Sequence, residues 1–148
     1  CRCDEAAVAR YVARLSGPLL DRIDLHVRLP AVRWRELDAA PDGPGSATLR
    51  VRAEAARERQ AARLGAHSVR CNAELPDRDL DALVDATPDA RALLGRAVDA
   101  LGLSARAARR VLRVARTIAD LAEDVRVDPS AMAEALALHG ADGSRRTF

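Results

Sequence analysis

Two spacings of apolar residues divide this 148-residue chain into two parts. In the first part, apolar side chains alternate with polar ones at Ile23, Leu25, Val27 and Leu29. Alternation of this kind predicts a half-covered β-strand. In the second part, apolar residues recur at helical spacing in one segment after another. The pattern therefore predicts a helix and a strand up to about residue 30, followed by a bundle of helices.

Residues that cap helix N-termini precede the expected helices: Asp4, Ser46, Thr87, Ser104 and Asp128. Proline follows two of them at the first helical position, where it is tolerated. The helix after Ser104 is the best defined and is predicted to run to about Glu123. Its apolar face consists of Val111, Val114, Ala115, Ile118 and Ala122. Its opposite face consists of Arg106, Arg110, Arg113 and Thr117, with Arg109 and Arg116 beside them.

A loop rich in proline and glycine separates the two parts of the chain. It contains Pro41-Asp-Gly-Pro-Gly45 and predicts a linker over residues 31–45. We therefore assign residues 1–30 to one unit, residues 46–140 to a helical bundle and residues 141–148 to a loose polar tail. Aromatic residues make up only 2% of the chain and alanine is abundant, which favours a mainly α fold.

The charge balance argues against a dedicated nucleic-acid binder, because the net charge is only +2 and acids are interspersed with the arginines. The arginines of the helix from Ser46 to about Leu64 are interpreted as a solvated face. No apolar run approaches the roughly 20 residues of a membrane span and no signal peptide is present, so we expect no membrane partner and a cytoplasmic location. The chain begins at Cys1 rather than at methionine, which suggests part of a longer protein.

The cysteines allow two interpretations. Cys1 and Cys3 form a Cys-x-Cys pair, which is half of the ligand set that a tetrahedral zinc site needs. The alternative is two ordinary thiols in a reducing cytosol. Cys71 stands alone and is interpreted as a small buried hydrophobe.

Two arginines are candidates for contact with phosphate. Arg22 lies between Asp21 and Asp24 where a helix meets the predicted strand; the alternative is a surface ion pair with either aspartate. Arg106 lies in the first turn of a helix, and helix N-termini attract anions. The alternative for Arg106 is pairing with acids of neighbouring helices.

Three segments of the chain carry a family resemblance. They are Ser16-Gly-Pro-Leu-Leu-Asp-Arg-Ile-Asp-Leu-His26, then Leu49-Arg-Val-Arg52 with Ala56-Arg57, Gln60, Arg63 and Asn72-Ala73, then residues 103–121. In this order they resemble magnesium-chelatase-like AAA+ ATPases, and within these the ComM/YifB group. The resemblance implies a helical-bundle AAA+ lid domain preceded by a helix and strand from the end of the α/β ATPase domain.

The resemblance also implies roles for individual residues. Arg22 matches the arginine finger, which reaches into the ATP site of a neighbouring subunit. Arg106 matches the sensor 2 arginine, which contacts the nucleotide phosphates. Cys1 and Cys3 match a Cys-x-Cys that follows an upstream Cys-Pro-Cys, and so imply half of a zinc site. The sequence Ala137-Leu-His139 departs from the tyrosine-arginine expected at that tip.

The chain lacks other parts of an ATPase. It contains no Gly-x-x-x-x-Gly-Lys-Ser/Thr phosphate loop, no lysine, and no apolar strand ending in the Asp-Glu of a Walker B site. ATP and Mg²⁺ are therefore expected in the longer parent, whereas this chain alone is expected to bind no cofactor and to hydrolyse no ATP.

The resemblance implies a ring of subunits, a hexamer, that acts on branched DNA. Two alternatives stay open: a magnesium chelatase subunit that inserts Mg²⁺ into a porphyrin, and a non-catalytic helical module that binds protein or nucleic acid.

Overall fold

The computed structural model describes residues 3–14, 22–39, 43–65, 67 and 69–140. The helices are α1 (Glu5–Val12), α2 (Trp34–Leu37), α3 (Ser46–Leu64), α4 (Leu80–Val84), α5 (Pro88–Leu101), α6 (Ala105–Leu121) and α7 (Pro129–Leu138). A 3₁₀ turn lies at Asn72–Glu74. The prediction of a mainly α fold is confirmed. Cys1, Asp21 and the predicted tail at 141–148 lie outside these ranges.

Most of the predicted caps form. The side chains of Asp4, Thr87, Ser104 and Asp128 each accept a hydrogen bond from the backbone N–H three residues later, at 2.7–3.2 Å. Ser46 differs, because it is the first residue of α3 and Gly45 takes the N-cap position. Helix α6 ends at Leu121, before the predicted Glu123, whose left-handed φ of 68° cannot continue a helix.

Helix α6 is the centre of the bundle. It packs against α3, the 3₁₀ turn, α4 and α7, and α5 packs on α7. Small side chains of α6 such as Ala115 and Ala119 are fully buried, which lets its neighbours approach closely. The large, almost fully buried apolar side chains around it are Leu64, Leu75, Leu80, Val84, Val127 and Met132.

The predicted strand over residues 23–29 does not form. A strand needs a neighbour for its backbone hydrogen bonds, and the described residues contain only one isolated β-bridge, between Ala86 and Val127. The N–H of His26 is donated instead to the carbonyl of Leu138 at the end of α7, at 2.6 Å. The alternating apolar side chains are accordingly exposed to solvent, and the exposed fraction of Leu29 is 87%.

A buried ion pair lies inside the bundle. Arg116 and Asp120 are one helical turn apart on α6, and their charged groups approach to 3.0 Å. Both side chains are almost completely buried. The Arg116 guanidinium also donates to the carbonyls of Asp124 and Val125 in the loop after α6, at 2.7 and 2.9 Å. Arg116, which the helical spacing places beside the arginines of the face opposite the apolar side chains, is buried, because carboxylate and carbonyl oxygens satisfy its donors inside the fold.

Side chains from two other segments complete the surroundings of Asp120. Arg63 of α3 contacts both carboxylate oxygens at 2.7–2.8 Å. Asn72 of the 3₁₀ turn donates to the same carboxylate at 2.8 Å. The Gln60 side chain in turn accepts from the Asn72 backbone N–H at 3.3 Å. Not all arginines of α3 therefore form a solvated face, since Arg63 is committed to this cluster.

These contacts set the pKa of Asp120. Burial raises the pKa of the carboxyl group, but hydrogen bonds from Arg63 and Asn72 and the charge of Arg116 outweigh it, so the pKa lies below its ordinary value. Burial also lowers the pKa of Arg116, against the opposing effect of Asp120. The guanidinium nevertheless stays charged at neutral pH.

Removal of the Asp120 carboxylate is expected to destabilise the protein strongly. Asp120→Ala leaves the buried Arg116 charge without its carboxylate, which costs about 3–5 kcal/mol of unfolding free energy. Asp81→Ala is the control, because Asp81 forms an exposed pair with Arg91 at 2.8 Å and should cost less than about 1 kcal/mol. Urea denaturation followed by circular dichroism measures both; equal losses would contradict the central role of Asp120.

The lowered pKa of Asp120 should also make the stability of the protein depend on pH in acid. Its pKa is lower in the folded than in the unfolded chain, so its contribution is complete above the unfolded value of about 3.9. The contribution is lost as the pH falls from there through the folded pKa. Asp120→Asn should therefore be less stable at neutral pH but lose less further stability on acidification. Parallel stability–pH curves for wild type and variant would rule this out.

Candidate functional site

A basic cleft of about 520 Å³ opens beside the start of α6. The Ser104 cap begins the helix, and arginines at positions 106, 109, 110 and 113 follow at spacings of three and four residues. Such spacing places side chains on one face of a helix. These four arginines line the cleft together with Asp24, Ala73, Asp77 and Ala105.

Carboxylates bind three of the four arginines. Arg109 and Arg113 both reach Asp77, at 3.6 and 2.7 Å, and Arg113 also donates to the Leu75 carbonyl at 2.7 Å. Arg110 Nε lies 3.0 Å from an Asp24 carboxylate oxygen. Three of the arginines on or beside the face opposite the apolar side chains of α6 therefore pair with acids from other segments.

Arg106 differs from its three neighbours in the cleft. It is exposed in the first turn of α6 and forms no hydrogen bond or ion pair with any residue in the described ranges. The alternative pairing with acids of neighbouring helices is not seen there. Four guanidinium groups face two carboxylates in this cleft, so it has an excess of positive charge beside a helix N-terminus.

Arg22 lies outside the residues that line the cleft. It is exposed, and within the part of the chain that the structure describes it has no ion-pair partner. Asp24, one of the two partners proposed for it, contacts Arg110 instead. The other, Asp21, lies outside the described residues. The structure thus brings the segment of Arg22 to α6 through Asp24 and leaves the Arg22 guanidinium exposed.

The structure says less about the function of the cysteines than about that of the arginines. Cys3 is exposed next to α1 and Cys71 is half-buried. Across residues 3–14, 22–39, 43–65, 67 and 69–140, no three His, Cys, Asp or Glu side chains cluster as metal ligands do. None of the helices in those ranges has the length and apolarity needed to cross a membrane.

Sequence reasoning missed the acidic partners in the cleft and the cluster around Asp120. Asp24 and Asp77 meet the arginines only through tertiary structure, so no local spacing indicates them. Arg116 and Asp120 did carry a signal: an i,i+4 pair of opposite charge next to the predicted core residue Ala115. The motif residues Gln60, Arg63 and Asn72 belong to this cluster, so their role in the described structure is architectural.

A helical bundle that presents a row of arginines at a capped helix N-terminus is the class of domain that these observations define. The family described as "Magnesium chelatase, subunit ChlI C-terminal" matches residues 43–139, and "Magnesium chelatase, subunit ChlI" matches residues 1–37. The chain belongs to this magnesium chelatase ChlI C-terminal family.

Similar proteins support this family assignment. The chain is 36% identical over 136 residues to the competence protein ComM of Haemophilus influenzae, which is 91% of this chain and 26% of ComM. It is 37% identical over 143 residues to YifB of Escherichia coli, which is 95% of this chain and 27% of YifB. YifB of Salmonella typhimurium is 40% identical over 121 residues, 81% of this chain and 23% of that protein. The chain thus spans about a quarter of the relatives it matches, and the resemblance to the ComM/YifB group is confirmed.

Proposed function

We propose that this chain is the C-terminal part of an AAA+ ATPase of the ComM/YifB type. In this proposal Arg106 contacts the nucleotide phosphates as sensor 2, and Arg22 is an arginine finger for the ATP site of a neighbouring subunit. The observation that carries the proposal is the exposed Arg106 guanidinium, which lies in a cleft where carboxylates bind the other three arginines.

The chemistry of the cleft suits a phosphate group. The N-terminus of a helix presents backbone N–H groups and partial positive charge to an anion. The planar guanidinium of Arg106 can add two parallel hydrogen bonds to phosphate oxygens. Arg109 and Arg113 contribute long-range attraction while Asp77 fixes their positions.

The exposure of Arg22 suits a group that acts outside its own subunit. An arginine finger stabilises the charge of the transferring γ-phosphoryl group, and guanidinium suits this better than ammonium because its charge is delocalised over a rigid fork. ATP and Mg²⁺ would be bound mainly by residues of the longer protein, since this sequence has no phosphate loop.

The proposed assembly is a hexameric ring that acts on branched DNA in the cytoplasm. DNA as the substrate is what the resemblance to the ComM/YifB group implies, and one relative in this group is named a competence protein. The family description names magnesium chelatase and so supports a second candidate, a chelatase subunit, for which the resemblance implies a porphyrin substrate. We favour the first because ComM and YifB match 91% and 95% of this chain. In the ComM/YifB proposal Cys1 and Cys3 would supply half of a structural zinc site.

Loss of Arg106 is expected to weaken nucleotide binding. In the full-length protein, Arg106→Ala removes charged hydrogen bonds to phosphate and should raise the KM for ATP on the order of tenfold or more. Arg96→Ala is the matched control, because Arg96 is an exposed arginine of α5 that does not line the cleft. Steady-state ATPase kinetics measure both. Equal KM values for Arg106→Ala, the control and wild type would refute the sensor 2 role.

Loss of Arg22 is expected to stop turnover without loss of nucleotide binding. Arg22→Ala should lower kcat roughly 10³-fold or more, the contribution of an arginine finger. Arg28→Ala, an exposed arginine of the same segment, should keep wild-type kcat. Rings with mixed wild-type and Arg22→Ala subunits should show that the loss acts on the neighbouring site. A variant with unchanged kcat would leave Arg22 without the proposed role.

A further inference from the structure

Among the described residues, Asp24 and His26 attach the segment of Arg22 (residues 22–29) to the bundle. Asp24, two residues after Arg22, forms the ion pair with Arg110 of α6 at 3.0 Å. His26, two residues further on, donates its backbone N–H to the Leu138 carbonyl at 2.6 Å, and its ring lies edge-on to the ring of His139. The position of Arg22 therefore depends on contacts of its segment with α6 and with the end of α7.

The Asp24 contact lies inside the basic cleft. Asp24, Arg106 and Arg110 all line it, and Arg110 is one turn after Arg106 on the same helix face, a rise of about 6 Å. Arg110 is only 13% exposed whereas the Asp24 side chain is 53% exposed. The carboxylate is therefore the partner that can leave, and the arginine is the partner that stays in the cleft.

An anion in this cleft would compete with Asp24. A phosphate bound by Arg106 would place negative charge near Arg110, which attracts it, and near the Asp24 carboxylate, which it repels. Removal of Asp24 from Arg110 would break one of the contacts that hold the segment of Arg22 on the bundle. Because linkage is reciprocal, an intact Asp24–Arg110 pair must weaken phosphate binding by the same factor.

We propose that Asp24 is a positioning residue that holds the Arg22 segment on α6 through Arg110 and is displaced by phosphate bound in the basic cleft. The proposal rests on the proposed function, since it takes Arg106 as the phosphate contact. The Asp24–Arg110 pair then responds to the nucleotide. When the cleft is empty, the pair attaches the Arg22 segment to α6, and when nucleotide phosphates occupy the cleft, the segment is released.

Binding of inorganic tripolyphosphate to the full-length protein, which also carries the remaining phosphate-binding residues, tests the proposal by isothermal titration calorimetry at physiological salt. Asp24→Asn should bind tripolyphosphate on the order of tenfold more tightly than wild type, within the usual range of coupling between sites. A residue with a merely structural role would not raise affinity when it is replaced. Asp81→Asn, which removes an exposed carboxylate paired with Arg91 elsewhere on the bundle, should keep wild-type affinity.

A double-mutant cycle separates competition for Arg110 from simple removal of negative charge. If Asp24 competes through Arg110, Asp24→Asn should have little effect in an Arg110→Gln background. An undiminished gain in that background would overturn the proposal, as would equal affinity of wild type and Asp24→Asn.

Arg106→Ala distinguishes failure of this proposal from failure of the proposed function. If Arg106→Ala weakens binding but Asp24→Asn does not strengthen it, only the competition by Asp24 is refuted. If Arg106→Ala binds as wild type does, or if wild type and Asp24→Asn both fail to bind, the phosphate role of the cleft is refuted as well.

Discussion

The buried carboxylate of Asp120 is the constraint on which the rest of the bundle depends. A charge removed from water must be compensated by nearby donors, and these come from three segments: Arg63 of α3, Asn72 of the 3₁₀ turn and Arg116 of α6. Arg116 extends the cluster to the loop after α6 through backbone carbonyls. An ion pair of this kind need not stabilise a fold more than apolar packing would, but leaving one partner alone is costly. We infer that the cluster selects one arrangement of α3 against α6.

In that arrangement the two halves of α6 have different surroundings. The C-terminal half carries Arg116 and Asp120 and is committed to the interior, whereas the N-terminal half carries the arginines of the cleft. Asp77 lies in the segment that follows the 3₁₀ turn, so the turn that supplies Asn72 to the cluster also leads into the acid that positions Arg109 and Arg113. Arg106 and the Asp24–Arg110 pair lie outside the buried cluster, and they are the parts of the cleft that we propose respond to phosphate.

Helices could be predicted from the sequence because their signals are local: the side chains of Thr87, Ser104 and Asp128 cap the expected helices. The prediction of a strand over residues 23–29 was wrong, since a strand is stable only with a neighbour and none is present among the described residues. Arg106 was placed correctly in a first helical turn. Its acidic neighbours were not found, because the pairing of Asp24 with Arg110 joins positions 86 residues apart (110 minus 24).

A structure of the full-length protein in complex with tripolyphosphate tests the central claim, that the start of α6 is a phosphate site regulated by Asp24. The account predicts phosphate oxygens within about 3 Å of the Arg106 guanidinium. It also predicts that Arg110 turns from the Asp24 carboxylate to the ligand while the contacts of Asp120 stay unchanged. Phosphate bound away from Arg106, with the Asp24–Arg110 pair intact, would contradict it.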